Sequence, residues 1–152
     1  MKIILALLLA LLTISPAHAT NYTISDDPGG DILDFIGKYE FWLHRHAEVR
    51  IEGRCVSACT IVLSIIPNEH ICATPNAEFG FHSAVRNTEN GPVYAKIMTA
   101  LMWEMYPDRV IRVLTPLGLG KPIEHPEMVY VNAQKIVKPC GPAPIADAEP
   151  AQ

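Results

Sequence analysis

No basic cluster occurs anywhere in this sequence of 152 residues. Lys and Arg together number 12 against 16 Asp and Glu, for a formal net charge of −4, so the electrostatic footprint of a nucleic-acid-binding domain or a polybasic membrane surface is missing. Cys-x-x-Cys is absent, as is any paired His–Cys spacing, which argues against a structural zinc site. His44 and His46 stand two apart, and residues two apart do not share a helix face, so they read as the solvated end of a helix and not as metal ligands. No serine is flanked as Gly-x-Ser-x-Gly, which excludes the nucleophile elbow of α/β-hydrolases. No segment repeats itself, so a solenoid is excluded as well.

The N-terminal segment is informative. Lys2, the apolar run Ile3 to Leu12, then Pro16 and the triplet Ala17-His18-Ala19 predict a secretory signal peptide over residues 1–19, cut before Thr20. Its apolar part is too short to span a bilayer comfortably. Residues 20–142 are then expected to form a single domain, and residues 143–152, rich in Ala and Pro and acidic, a disordered tail. Export places the mature chain across the inner membrane, in the periplasm. All four cysteines (Cys55, Cys59, Cys72 and Cys140) fall in the mature part, as a disulfide-bonded exported protein requires. Three pairings are open. Cys55 belongs to a turn more than to a helix, so a link from its corner to Cys72 or Cys140 is expected.

Hydrophobic periodicity gives the order of elements. Tyr22-Thr23-Ile24 reads as a strand, Pro28-Gly29-Gly30 as a tight turn, and Ile32, Leu33, Phe35, Ile36, Tyr39, Trp42 and Leu43 as the apolar positions of a helix. A strand at Val49 to Glu52 leads into a corner at Ser57 and an apolar helix. Short strands follow at Ile71 to Ala73 and Glu78 to His82, then an exposed loop over Arg86 to Pro92. Two helices, Val93 to Met105 and Pro107 to Thr115, precede a loop from Lys121 to Glu127, a short strand or turn at Met128 to Val131 and a last strand at Gln134 to Val137. Alternating strands and helices predict an α/β domain with a mostly parallel sheet.

Ser57 sits where a strand gives way to a helix. A serine there can simply cap the helix. It can also be a nucleophile, provided that a base and oxyanion donors lie close by. His82, at the end of a neighbouring strand, and Gly29-Gly30, opening another helix, can converge with Ser57 at one edge of a parallel sheet. A cysteine nucleophile, Cys55 or Cys59 with His82, is disfavoured because export promotes oxidation of both.

Taken in order, Pro28-Gly29-Gly30, Gly53-x-x-x-Ser57 and Pro75-Asn76 running through Glu78-Phe79-Gly80-Phe81-His82 resemble the turn, nucleophile segment and histidine strand of the Clp protease proteolytic subunit. The resemblance extends from about Ile24 to Ser83. It implies a crotonase-like βαβ core, shortened at the N-terminus and in the helical handle. By the same resemblance Ser57 is the nucleophile, His82 the general base, and the backbone N–H groups of Gly30 and Ala58 the oxyanion donors. The orienting acid falls on Glu127, with Asn132 and Asp108 as other options. Implied further are a peptide or unfolded-protein substrate, no cofactor, no metal, no nucleic acid and, in an exported setting without ATP, no ATPase partner. A homo-oligomer is among the assemblies it allows. The function expected is therefore an exported, ATP-independent serine hydrolase, a peptidase; a noncatalytic periplasmic binding or assembly protein on the same frame is the alternative.

Overall fold

The computed structural model describes residues 20–119, 121, 122, 124 and 127–142. The expected signal peptide and the expected tail lie outside the described residues. The domain is mixed α/β with a mostly parallel, curled sheet built on one central strand.

That central strand is β2 (Glu48–Val56), whose alternate residues Val49, Ile51 and Cys55 are buried, as period-two patterning demands. It is longer than the sequence suggested, because Gly53 continues the strand instead of ending it. Along one edge β2 pairs in parallel with β1 (Asn21–Asp27). Along the other edge its first half (Val49 to Ile51) pairs with β3 (Ile71–Ala73), and its second half (Arg54 to Val56) with β4 (Glu78–Phe81), all parallel. The sheet therefore forks beside Gly53. The β1–β2 register shifts at the same level, between Ile24 and Asp26, and a Cβ on Gly53 would lie 1.5 Å from the Ser25 carbonyl oxygen. Only glycine permits that approach.

Beyond His82 the chain departs from expectation. The segment read as a loop is a two-stranded hairpin of β5 (Val85–Thr88) and β6 (Gly91–Tyr94). Its β5 residues are all exposed, so no apolar alternation marks them as a strand. On β4's free side β7 (Val129–Asn132) adds antiparallel. The strand expected over Gln134 to Val137 is instead a 3-10 turn, Ala133–Lys135, started by the Asn132 side chain accepting from the Gln134 N–H; the strand is β8 (Lys138–Pro139), parallel to β3.

Helix α1 (Ile32–His44) begins at Asp31, whose carboxylate accepts from the N–H groups of Leu33 (2.8 Å) and Asp34 (3.3 Å). The chain then continues through α2 (Val62–Ile65), α3 (Lys96–Met105) and α4 (Asp108–Leu114). Between sheet and helices lie the fully buried Tyr39, Ile51, Ile61, Leu63, Ile71, Phe79 and Phe81. Each such aliphatic or phenyl side chain stabilises the fold by roughly 1.5–3 kcal/mol relative to exposure.

The cysteines pair as Cys55–Cys59 and Cys72–Cys140, with no free thiol among the described residues. The expected link from the Ser57 corner to Cys72 or Cys140 is thus not made. Cys55 is the next-to-last residue of β2 and Cys59 lies one turn on, which brings their Cα atoms within 5.3 Å across the corner itself. Two disulfides point to an oxidising, extracytoplasmic environment. No helix among the described residues is long and apolar enough to cross a membrane.

Candidate active site

Val56 is extended (φ −119°, ψ 157°), and the next residue, Ser57, has φ +55°. A left-handed conformation costs a residue with a Cβ about 1–2 kcal/mol, so something must hold it. Four contacts do. The Cys55–Cys59 disulfide spans the corner; Thr60 Oγ1 donates to the Ser57 carbonyl at 2.6 Å; Tyr39 Oη donates to the Cys59 carbonyl at 3.0 Å; and Gly29 packs directly behind. The Ser57 hydroxyl does not cap the 3-10 turn (Ser57–Ile61) that follows. It lies 2.8 Å from His82 Nε2.

His82 is placed by the layer beneath it. Phe79 and Phe81 of β4 point into the core, and His82 emerges half-buried one residue past the strand. The chain is fixed two residues on, where the Ala84 N–H donates to Thr99 Oγ1 (2.9 Å) and the Ala84 carbonyl accepts from the Ala95 N–H (2.9 Å). Burial lowers the imidazole pKa from its ordinary 6.5, so the ring is neutral at neutral pH and able to take a proton.

This shift has two consequences of one sign. Any reaction that uses His82 as a base is expected to keep its rate below pH 6.5 and to lose it only as pH drops through the lowered value. Between the lowered value and 6.5 the unfolded chain binds a proton that the native chain does not, so this group leaves stability flat above pH 6.5 and reduces it as pH falls. A pH profile of kcat/KM checks the first; an acid limb centred above 6.5 would contradict it.

The Pro28-Gly29-Gly30 turn is tied at both ends. Asp27 Oδ1 accepts from the Gly29 N–H at 2.9 Å while its other oxygen meets Lys38 Nζ at 3.1 Å, and Asp31 caps α1. Between these ties the Gly30 N–H makes no hydrogen bond among the described residues. Gly29 has φ +80°, and a Cβ there would stand 2.9 Å from the Ala58 nitrogen, so the turn and the Ser57 corner are in direct contact. Ala58 opens a helical turn, where backbone N–H groups lack an intrahelical acceptor.

Ser57, His82 and Gly30 all line one cleft of about 890 Å³, whose apolar walls include Ile32, Met98 and Met128 and whose rim carries the hairpin residue Arg86. The structure therefore brings Ser57, His82 and Gly30 to one cleft, while Ala58, next to Ser57 in the chain, is fully buried and outside the cleft lining. Of the residues considered for an orienting acid, Asn132 is used elsewhere: its amide donates to the Pro75 carbonyl (2.8 Å) and its oxygen accepts from the Gln134 N–H. Asp108 is an exposed residue in the first turn of α4, outside the cleft lining. Glu127 is exposed and directly precedes Met128 of the cleft wall. Cys55 and Cys59 are consumed by their disulfide and cannot act as thiolates. Sequence reasoning missed Thr60, Tyr39, Tyr106 and Asp27. Only Asp27, directly before Pro-Gly-Gly, carried a usable signal, since Asp favours turn starts.

No protein-family model matches this chain, and no curated protein matches it. Among solved structures, one described only as a crystal structure of an enzyme is similar over 90% of this chain and 84% of that chain, with a TM-score of 0.51 and 15% sequence identity. A likeness at that identity is one of fold.

Proposed function

We propose that this chain is an exported, ATP-independent serine hydrolase, a peptidase, on a crotonase-like frame similar to that of the Clp protease proteolytic subunit. One observation carries it: a serine in a strained left-handed corner whose hydroxyl is 2.8 Å from a neutral histidine at the mouth of a cleft. A helix-capping serine would not need that strain, nor would it face an imidazole.

The chemistry follows from the placement. His82 Nε2 takes the Ser57 proton as Oγ forms a bond to the substrate carbonyl carbon, and the carbonyl π electrons move onto oxygen. The N–H groups of Gly30 and Ala58 receive that oxyanion. Collapse of the tetrahedral species breaks the bond to the leaving amine, which takes the proton from His82. Water, deprotonated by the same ring, then hydrolyses the acyl-serine. Glu127 is the residue we assign to orient the imidazole. Without an unfoldase, the substrates are short or unfolded chains that enter the cleft extended, and the setting is the periplasm, reached through a signal peptide over residues 1–19.

Labelling by a fluorophosphonate probe tests the proposal. The wild-type chain is expected to label and Ser57→Ala not to, with His82→Ala slower by at least ~10³-fold. A folded wild-type chain that shows no Ser57-dependent labelling would sink the hydrolase and leave the noncatalytic binding or assembly protein.

A further inference from the structure

We infer that Thr60 and Tyr106 are positioning residues for the oxyanion hole, acting through the peptide that joins Ser57 to Ala58. This rests on the serine-hydrolase reading above. A peptide unit is planar, and its C=O and N–H point in opposite directions, so whatever fixes the carbonyl of Ser57 also aims the N–H of Ala58. Thr60 Oγ1 donates to that carbonyl at 2.6 Å. Its only proton is thereby committed, so the Tyr106 hydroxyl, 2.5 Å from Thr60 Oγ1, must be the donor in the second bond. The result is a directed chain from Tyr106 Oη to Thr60 Oγ1 to Ser57 O.

Its surroundings make it firm. Thr60 is fully buried and Tyr106 6% exposed, which leaves no solvent to replace either bond. Burial raises the Tyr106 pKa, so the phenol keeps its proton across the working range. Its ring packs edge-on against Phe81 (5.7 Å) and Trp103 (5.5 Å), and it occupies the junction of α3 and α4, far from the corner in sequence. Each donor in such a chain polarises the next, so the N–H of the Ser57–Ala58 peptide becomes a stronger donor. The left-handed Ser57 needs this restraint, because relaxing its φ would swing that same peptide and aim the Ala58 N–H elsewhere.

A purely structural pair of buried hydroxyls would affect stability alone, and the two roles separate by kinetics. Thr60→Val, which keeps shape and removes the donor, is expected to lower kcat by ~10- to 100-fold with KM within about threefold, somewhat less than loss of a direct oxyanion donor. Thr60→Ser should restore kcat. Tyr106→Phe should lower it roughly three- to tenfold, since Thr60 still reaches the carbonyl. A peptide boronate, whose tetrahedral adduct places an oxygen in the hole, should lose affinity in parallel with kcat across the series. If Thr60→Val is folded and its kcat and boronate affinity match wild type, the inference is overturned while the hydrolase stands. If Thr60→Val does not fold, Tyr106→Phe decides, and wild-type kcat and boronate affinity in that variant overturn the inference. Failure of the wild-type chain itself to label with a fluorophosphonate overturns the hydrolase reading instead.

Discussion

Gly29→Ala is expected to destabilise the domain by about 2–5 kcal/mol and to remove Ser57 labelling at temperatures where the variant is still folded. Two effects add. The backbone at Gly29 is left-handed (φ +80°), which costs a Cβ-bearing residue roughly 1–2 kcal/mol. The new methyl would also stand 2.6 Å from the Val56 carbonyl oxygen, 2.8 Å from Ser57 Cβ and 2.9 Å from the Ala58 nitrogen. Two of those atoms are backbone and cannot rotate away, so the turn and the Ser57 corner must separate. The separation pulls apart the two peptide segments assigned to the oxyanion. Urea unfolding gives the first effect and labelling of the folded fraction the second. A variant within 1 kcal/mol of wild type would mean that the two segments are not in the contact described.

Removal of the Cys72–Cys140 disulfide, by Cys72→Ala with Cys140→Ala, has the second largest expected effect. The bond closes a separation of 68 residues, and chain-entropy arguments then assign it about 4 kcal/mol. It has a particular job here, because β8 is only two residues long and pairs with β3 alone. Without the covalent tie that edge rests on the Cys140 N–H donating to the Ala73 carbonyl (2.9 Å), Arg50 donating to the Gly141 carbonyl (3.2 Å) and the buried Ile136 and Val137, and the thermal midpoint should fall by roughly 10–20 °C. Cys55→Ala with Cys59→Ala, at a separation of 4, is expected to lose only about half as much stability, since it constrains far less of the unfolded chain. Calorimetry on the two double variants orders them, and the reverse order would refute the assignment of the longer bond to fold stability.

The sequence was most legible where one physical signal dominated. Helix α1 carried a three- and four-residue apolar repeat from Ile32 to Leu43, close to its true bounds of Ile32–His44. The order strand, turn, helix, strand, corner placed Ser57, His82 and Gly30 at one edge of the sheet. Legibility failed where two signals competed. Gly53 reads as a breaker, yet it is present because the Ser25 carbonyl occupies the space of its side chain, so β2 runs on to Val56. Arg86 to Pro92 has turn composition and no buried face, so the hairpin's pairing had nothing to show in the sequence. Placing Cys55 in a turn pointed its partner away to Cys72 or Cys140, whereas the disulfide joins Cys55 to Cys59 across the end of a strand and the start of a 3-10 turn. The Tyr106–Thr60 contact joins residues 46 apart, and a pairing of that range leaves no local trace.

The fork in the sheet beside Gly53 also bears on how this chain can change over generations. A position that holds a neighbouring carbonyl in place of a Cβ tolerates no replacement, while the exposed hairpin strand Val85–Thr88 can accept many. Drift is therefore channelled: it can rewrite exposed positions such as the hairpin strand, but not the glycine at the fork. In distant descendants the shape is expected to outlive the text, with that glycine among the letters that stay.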